Sequence, residues 1–407
     1  MRKINLCSIA DVVSGVSYSP KDISSSGIRI LRGGNIQNEA IILKQDDVFL
    51  VDSYSDESNS VREGDTVVVA STGSTDALGK AATSWTDLPD AQIGAFLRIV
   101  RPKERKWAAT VSAWLTQPIF SRYIVNRAKG TGINNIKREY LLDYPIYVHD
   151  EKDLIKFSRL YEGVDRLIEL SRKRIENLEK LAKEIYDYWF VQFDFPDKRG
   201  KPYKSSGGKM VYNVTLKREI PAGWKAQSLP EVLSLTMGQS PDGKSYNEAG
   251  AGTLFYQGAT DFGCTFPSPR QYTTSPSRMA GSGAVLMSVR APVGTKNRVL
   301  DECCIGRGLC ALFSENGGTS FAWYVAESLK PYFDRKNNDG TTFGAIGKDE
   351  FSKLMILSPS EDVVKEFGKL VKPLDLAMVK AQRHIDLLVK AREFLLPLLM
   401  NGQAKMR

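Results

Sequence analysis

Histidine is nearly missing from this 407-residue chain, with only His149 and His384. A Ser-His-Asp or Cys-His nucleophilic site would need one of them, and neither is well placed: His149 lies at the edge of a globular segment and His384 inside a helical one. The five cysteines (Cys7, Cys264, Cys303, Cys304, Cys310) are odd in number and lack C-x-x-C spacing. They read as reduced thiols of a cytoplasmic protein, not as a disulfide framework or a zinc site, with Cys303, Cys304 and Cys310 lining core strands. No apolar run reaches the roughly 18 to 20 residues of a membrane helix, and the stretch from Phe394 to Met400 contains a proline. The start, MRKINLCSIADVV, has no apolar segment leading to a small-residue cleavage site. Phosphate-binding loops are missing too. Gly79-Lys80 is followed by Ala and Gly347-Lys348 by Asp, where Ser or Thr is required. Neither a G-x-G-x-x-G turn between strand and helix nor the Asn-Pro-Pro-aromatic tetrad of adenine methyltransferases occurs. No catalytic residue, metal or cofactor is therefore assigned.

What is present is ordinary globular material: 42% hydrophobic, 25% charged and 10% aromatic residues, enough for two or three domains with their own cores. The 56 Lys and Arg against 47 Asp and Glu leave a net charge of +9. That excess favours an acidic partner, of which nucleic acid is the commonest.

The chain repeats itself. Gly130-Thr131, Ile136, Tyr140-Leu141 and Ile146 recur 210 positions later as Gly340-Thr341, Ile346, Glu350-Phe351 and Ile356. The same offset relates Glu151 to Glu361, Phe157 to Phe367, Asp165 to Asp375 and Ile175 to Ile385. Earlier in each copy the offset is 223, matching Leu6, Ile9, Val12 and Gly15 to Leu229, Val232, Leu235 and Gly238, and Ile93-Gly94 resembles Ile305-Gly306. Each copy begins with a globular unit that mixes strand-like runs with one helix-like stretch. The runs are Thr66 to Ala70 and Phe96 to Val100 in the first copy, Ala284 to Val289 and Leu309 to Phe313 in the second; the helical stretches are Thr110 to Ala128 and Ser320 to Lys336. The class is α+β.

A helical segment follows each globular unit. Tyr161, Val164, Ile168, Ser171, Ile175, Leu178, Ala182, Ile185 and Trp189 alternate steps of three and four, an a/d seam. Their counterparts are Val371, Leu374, Met378, Ala381, Ile385, Leu388, Arg392, Leu395 and Leu399, with Arg392 the one charged exception. Such a stripe alone could be an amphipathic helix on its own domain. Two matched ones predict pairing with each other, antiparallel about a pseudo-two-fold axis. Gly163 and Pro373 mark where each helix should begin or bend, and Pro196 and Pro397 should stop them. The predicted organisation is a first globular domain over 1–150, helical spacer regions over 151–195 and 361–407, an exposed Lys/Gly/Ser-rich linker over 196–222, and a second globular domain over 223–360.

The functional candidates are loop side chains able to meet phosphates and base edges. The first domain offers Lys21, Arg29, Arg32, Asn35, Ser71, Thr72, Lys80, Asn134 and Lys137. The second offers Gln239, Lys244, Gln257, Arg270, Arg290, Lys296, Arg307 and Thr341. Arg and Lys suit guanine O6 and N7, while Asn and Gln suit adenine.

The residues also carry a resemblance. Gly238-Gln239-Ser240-Pro241, Phe255-Tyr256-Gln257-Gly258, Tyr272-Thr273-Thr274, Ser288-Val289-Arg290-Ala291-Pro292-Val293-Gly294 and Cys304-Ile305-Gly306-Arg307-Gly308-Leu309 resemble the specificity subunit of Type I restriction-modification systems. Leu31-Arg32-Gly33-Gly34-Asn35-Ile36, Tyr188-Trp189-Phe190 and Met400-Asn401-Gly402-Gln403 extend the likeness over nearly the whole chain, the first globular domain being the more divergent. The resemblance implies two target-recognition domains, separated by two long antiparallel coiled-coil helices, that each read one half of a split double-stranded DNA sequence. It implies no catalysis in this subunit, docking of two methyltransferase subunits, and restriction/translocase subunits joining that assembly. On this reading the helices act as a ruler between half-sites. From Val164 to Phe190 they would span about 40 Å at roughly 1.5 Å per residue, near the ~34 to 36 Å of one DNA turn. Tyr186, Phe190 and Phe193, an aromatic stripe beside the seam, are the candidate docking surface for the methyltransferase subunit. The alternative reading is an autonomous sequence-specific DNA-binding regulator. A self-contained restriction or methylation enzyme and an architectural coiled-coil protein rank below both.

Overall fold

The computed structural model describes the chain except for Met1, Asn38, Gln45, Asp52, Ser53, Ser55 and residues 74–76, 129–134, 339–345 and 401–407. Gly130-Thr131, Gly340-Thr341 and Met400's followers Asn401 to Gln403 in the sequence motifs therefore lie wholly or in part outside the described residues. The fold is mixed helix and sheet. It divides into two compact units, one formed by Met1–Ser171 with His384–Arg407 and the other by Arg172–Arg383. Among the described residues no helix is long and apolar enough to cross a membrane.

In the first unit a four-stranded antiparallel sheet runs in the order Ala81–Thr83, Thr66–Val69, Leu97–Pro102, Ala10–Ser14. A five-stranded sheet has the order Ile23–Ser24, Val48–Leu50, Ile28–Leu31, Leu88–Ile93, Ser60–Val61, and its third and fourth strands are parallel. The two-residue period of a strand explains why Thr66–Val69 is buried throughout. Val67 and Val69 join Leu31, Ile93, Leu97 and Ile99 in one core. Val68 turns to the other face with Val100, where it meets Val111, Phe120 and Ile124 of the helices Ala108–Leu115 and Pro118–Ala128. The single helix expected over 110–128 is split at Pro118, whose ring fits a helix start and not its interior.

The second unit's four-stranded sheet has the order Lys296–Arg298, Val285–Ser288, Leu309–Phe313, Ser234–Met237. Its five-stranded sheet runs Tyr246–Asn247, Gln271–Thr273, Thr253–Tyr256, Cys303–Ile305, Met279–Ala280, again with the third and fourth strands parallel. Alternation divides the side chains as before: Val285, Met287, Cys310 and Leu312 face the helix Gly318–Ser328, while Leu286, Leu309 and Ala311 face the five-stranded sheet. Cys303, Cys304 and Cys310 are buried strand residues, as read from the sequence. Burial pushes the thiols of Cys303 and Cys310 up to about 12.

Both long helices begin well before the positions expected from Gly163 and Pro373. One spans Glu151–Tyr186 and passes into a wide π turn, Asp187–Val191; the other spans Glu361–Met400. Pro397 does not end the second helix. Pro373 and Pro397 both sit on its exposed side, where water can take up the carbonyls they leave unpaired. The buried Phe367, Val371, Met378 and Ala381 on the opposite side hold the helix across the first proline against a cost of about 3 kcal/mol. The seam also shifts at its end, since Leu395 is 37% exposed and Leu396 takes its place in the core at 2%. Within the first unit, Phe157 and Tyr161 pack with Leu396, Leu399 and Met400, and Ser171 Oγ lies 3.4 Å from His384 Nδ1. Within the second, Ala182 and Trp189 share a core with Phe367 and Val371.

Of the segment 196–222, read as a linker, residues 196–209 are largely exposed but held in turns, and Met210–Asn213 pairs with Arg218–Pro221 as two antiparallel strands. Asp197 Oδ1 accepts the N–H groups of Arg199 and Lys201 at 2.7 and 2.9 Å. Phe195 stacks on Tyr203 and Trp224 at 4.7 and 4.9 Å between ring centres.

Candidate nucleic-acid interface

In each unit the parallel strands of the five-stranded sheet end beside a backbone contact that only glycine permits. A Cβ on Gly15 would lie 2.1 Å from Gly94 O, and one on Gly238 would lie 2.1 Å from Gly306 O. The next residue is bonded in both cases, Val16 N to Ile93 O at 2.8 Å and Gln239 N to Ile305 O at 3.0 Å. These contacts draw the strand-end loops together and leave little slack in their main chain.

In the second unit the loops so gathered carry Gln239, Gln257, Arg290 and Arg307. Ser240 Oγ ties two of them: it bonds the Gln257 amide at 2.9 to 3.1 Å and accepts the Arg307 N–H at 3.2 Å. Gly308 N donates to Gln257 O at 3.2 Å, and Val289 N to Gly308 O at 2.9 Å, which brings the preceding residue of Arg290 to the same edge. Gln239, Arg290 and Arg307 are exposed. The loops thus present two guanidinium groups and two amides from one pinned backbone.

The first unit places Arg32, Ser71 and Thr72 at the corresponding strand ends, with Lys80 and Lys137 flanking them. Ser71 N bonds Phe96 O at 3.1 Å and Ser71 bridges Asn135, while Ile136 N bonds Ala70 O at 2.7 Å, so Lys137 comes to the same edge. Arg32, Lys80 and Lys137 are exposed. Lys21 and Lys244 are exposed but lie apart, each in a 3-10 turn before the outermost strand of its five-stranded sheet. Arg270 is exposed and forked onto Asp261 at 2.6 and 3.2 Å. Asn134 and Thr341 fall outside the described residues.

Three candidates are corrected because partners within the fold already hold them. Asn35 is buried, accepts Arg32 N at 2.8 Å and donates to Ile42 O and Asp47 at 2.8 and 2.7 Å. Arg29 donates to Lys44 O and Asp47, both at 2.7 Å, and stacks over Phe49. Burial acts against ionisation of Asp47, but the bonds from Asn35, Lys44 and Arg29 hold its carboxyl below the usual range. Lys296 lies over the Trp323 ring at 3.8 Å, donates to Trp323 O at 3.1 Å and pairs with Glu327. Burial pulls its amine down to about 8.

The docking stripe is corrected too. Phe190 and Phe193 are 2% and 4% exposed and pack with Trp224, Phe321 and Phe367 in the second unit's core, with Tyr186 against them. The stripe is covered by Phe321 and Tyr324 of the helix Gly318–Ser328 and by Phe367 of the second long helix, packing partners that helical spacing alone does not reveal.

Residues missed in the sequence include Ser240, whose role needs both its partners, Gln257 and Arg307, in place, and Phe96, which was assigned to a strand. Phe96 lies just before the strand Leu97–Pro102, is 64% exposed, and its carbonyl accepts both Ala70 N and Ser71 N. Arg298 was also missed, a buried arginine within a strand.

No family model matches the chain. The chain is 29% identical over 322 residues to a protein assigned as the MjaX type I restriction enzyme specificity subunit of Methanocaldococcus jannaschii, covering 77% of this chain and 72% of that one. It is 24% identical over 301 residues to the MjaIX specificity subunit of the same organism, covering 70% and 66%. The crystal structure of a Type-I restriction-modification system S subunit from M. genitalium aligns over 100% of this chain and 96% of its own, with a TM-score of 0.52 and 14% identity, a likeness of fold. In its motifs and over most of its length the chain is thus similar to specificity subunits of type I restriction enzymes.

Proposed function

We propose that this chain is the DNA sequence-specificity subunit of a type I restriction-modification complex, and that it takes no catalytic part. Each globular domain, 1–150 and 223–360, reads one half of a bipartite DNA target with the loops at its strand ends. The helical regions 151–195 and 361–407 form an antiparallel coiled coil that sets the gap, and 196–222 connects the halves. Two methyltransferase subunits dock on the chain, and restriction/translocase subunits join through them.

The observation that carries this reading is the pair of glycine contacts. Gly15 on Gly94 and Gly238 on Gly306 sit at matching places in two sheets of the same strand order, near exposed Arg and Lys side chains in the first unit and exposed Arg and Gln side chains in the second. An internal duplication is supported by that correspondence and by the 210-residue offset. Arg, Lys and Gln at these edges supply the donors and acceptors that phosphates and base edges require. The net charge of +9 favours the same partner.

Methylome sequencing of cells carrying this chain with its methyltransferase subunit tests the proposal. One interrupted sequence, methylated only when both proteins are present, is the expected result. Tight site-specific binding by the chain alone, with no methylation in the pair, would instead make it an independent regulator.

A further inference from the structure

Each compact unit contains a buried arginine set between an aspartate and a glutamate. In both, the three groups join the globular part to the long helices. In the second unit Arg298, 2% exposed, rises from the strand Lys296–Arg298. Its Nη1 donates to Asp375 on the second long helix at 2.8 Å, and its Nε is 3.6 Å from the Glu179 carboxylate on the first, within ion-pair but outside hydrogen-bond reach. Ser320 Oγ donates to the same Asp375 oxygen at 2.6 Å, and the guanidinium lies over Trp323.

In the first unit the arginine comes from the other side. Arg392, on the second long helix, donates to Asp165 on the first at 2.6 Å and to Glu39 in the globular part. Asp165 also accepts the Trp85 indole N–H at 3.3 Å, and Arg166 Nη1 donates to Trp85 O at 2.8 Å. Burial pushes the Glu39 and Glu179 carboxyls above the usual range. Asp165 and Asp375 stand at the same place in the repeat.

Stability is a poor reason for such groups, because a buried ion pair is often matched or bettered by well-packed apolar residues of similar volume. What a planar fork between two carboxylates adds is direction. The geometry points to Arg298 and Arg392 as positioning residues: each fixes the angle at which its globular part stands on the helices, and through it the gap between the two half-sites. This inference rests on the reading of the chain as a two-site DNA reader.

The test uses the full chain with its methyltransferase subunit and reads gap length by methylome sequencing. Arg298→Met, Arg392→Met and the near-isosteric Asp375→Asn and Asp165→Asn are compared with the parent chain, with folding checked by circular dichroism and thermal melting. The expected result is methylation of unchanged half-sites with an added population whose gap is one base pair shorter or longer. Arg298→Lys, which keeps the charge without the fork, restores part of the single-gap pattern. A folded variant that keeps one gap, or that loses methylation at every gap, overturns the inference, as does failure of all four variants to fold. Absence of any interrupted methylated sequence with the parent chain counts against the two-site reading itself and is seen before any variant is made.

Discussion

Arg307 illustrates what a single residue can do at the proposed interface. Its N–H is held by Ser240 and its side chain is exposed, so its reach is set by the backbone beneath it. Arg307→Ala is expected to relax base preference at one or two positions of one half-site, with a loss of about 1–3 kcal/mol, and to leave the other half-site unchanged. Competition binding with single-base variants of the methylated sequence measures this. Lys296 belongs inside the fold, and its test is pH. Its folded amine titrates near 8, below the ordinary lysine value of 10.5, so between those values the unfolded chain binds the extra proton and stability rises with pH. Below pH 8 both states are charged and that gain is absent. Lys296→Met should remove this alkaline gain, a difference on the order of 1 kcal/mol or more in denaturant melts at pH 8 and 10. Both lysines and arginines were legible as functional types in the sequence. Which candidates face outward was not, because the carboxylates that hold Asn35, Arg29 and Lys296 lie 12 to 31 residues away in the chain.

At the scale of the element, the seams were legible because burial every three and four residues requires only local sequence. Tyr161, Ile168, Ile175 and Ala182 are all buried as their spacing predicts. The helix ends were not legible: prolines were read as stops, whereas Pro373 and Pro397 face outward on a helix packed along its other side. The π turn likewise has no local signature, and packing on Trp224 and Phe321 moves Phe190 and Phe193 from a docking stripe to the core. Arg392 was visible as the one break in the second seam, and its explanation lies in Asp165 and Glu39. Among loops, the glycine contacts are the most exacting feature. Gly238→Ala would set a methyl 2.1 Å from Gly306 O, so the strand end must shift. A loss of about 1–3 kcal/mol is expected, read as an earlier unfolding transition, whereas Gly243→Ala, with open space around it, should melt as the parent does.

For the whole molecule, the repeat was the most informative feature of the sequence, because it set globular and helical segments in the same order twice. Strand order was beyond reach, since pairing such as Ile28–Leu31 with Leu88–Ile93 joins residues some sixty positions apart. The ruler proposal is tested at this scale. Four residues inserted next to Ser171 are expected to change the gap in the methylated sequence while both half-sites keep their bases. An unchanged gap would remove the helices from any role in spacing.

Trp85 gives the first unit a built-in optical probe. Its indole is 2% exposed and donates to Asp165, the carboxylate that also holds Arg392. Any event that opens that ion pair hydrates the ring as well. In a chain whose other five tryptophans are replaced by phenylalanine, a red shift of the remaining emission on adding DNA or a partner subunit would register that opening in real time.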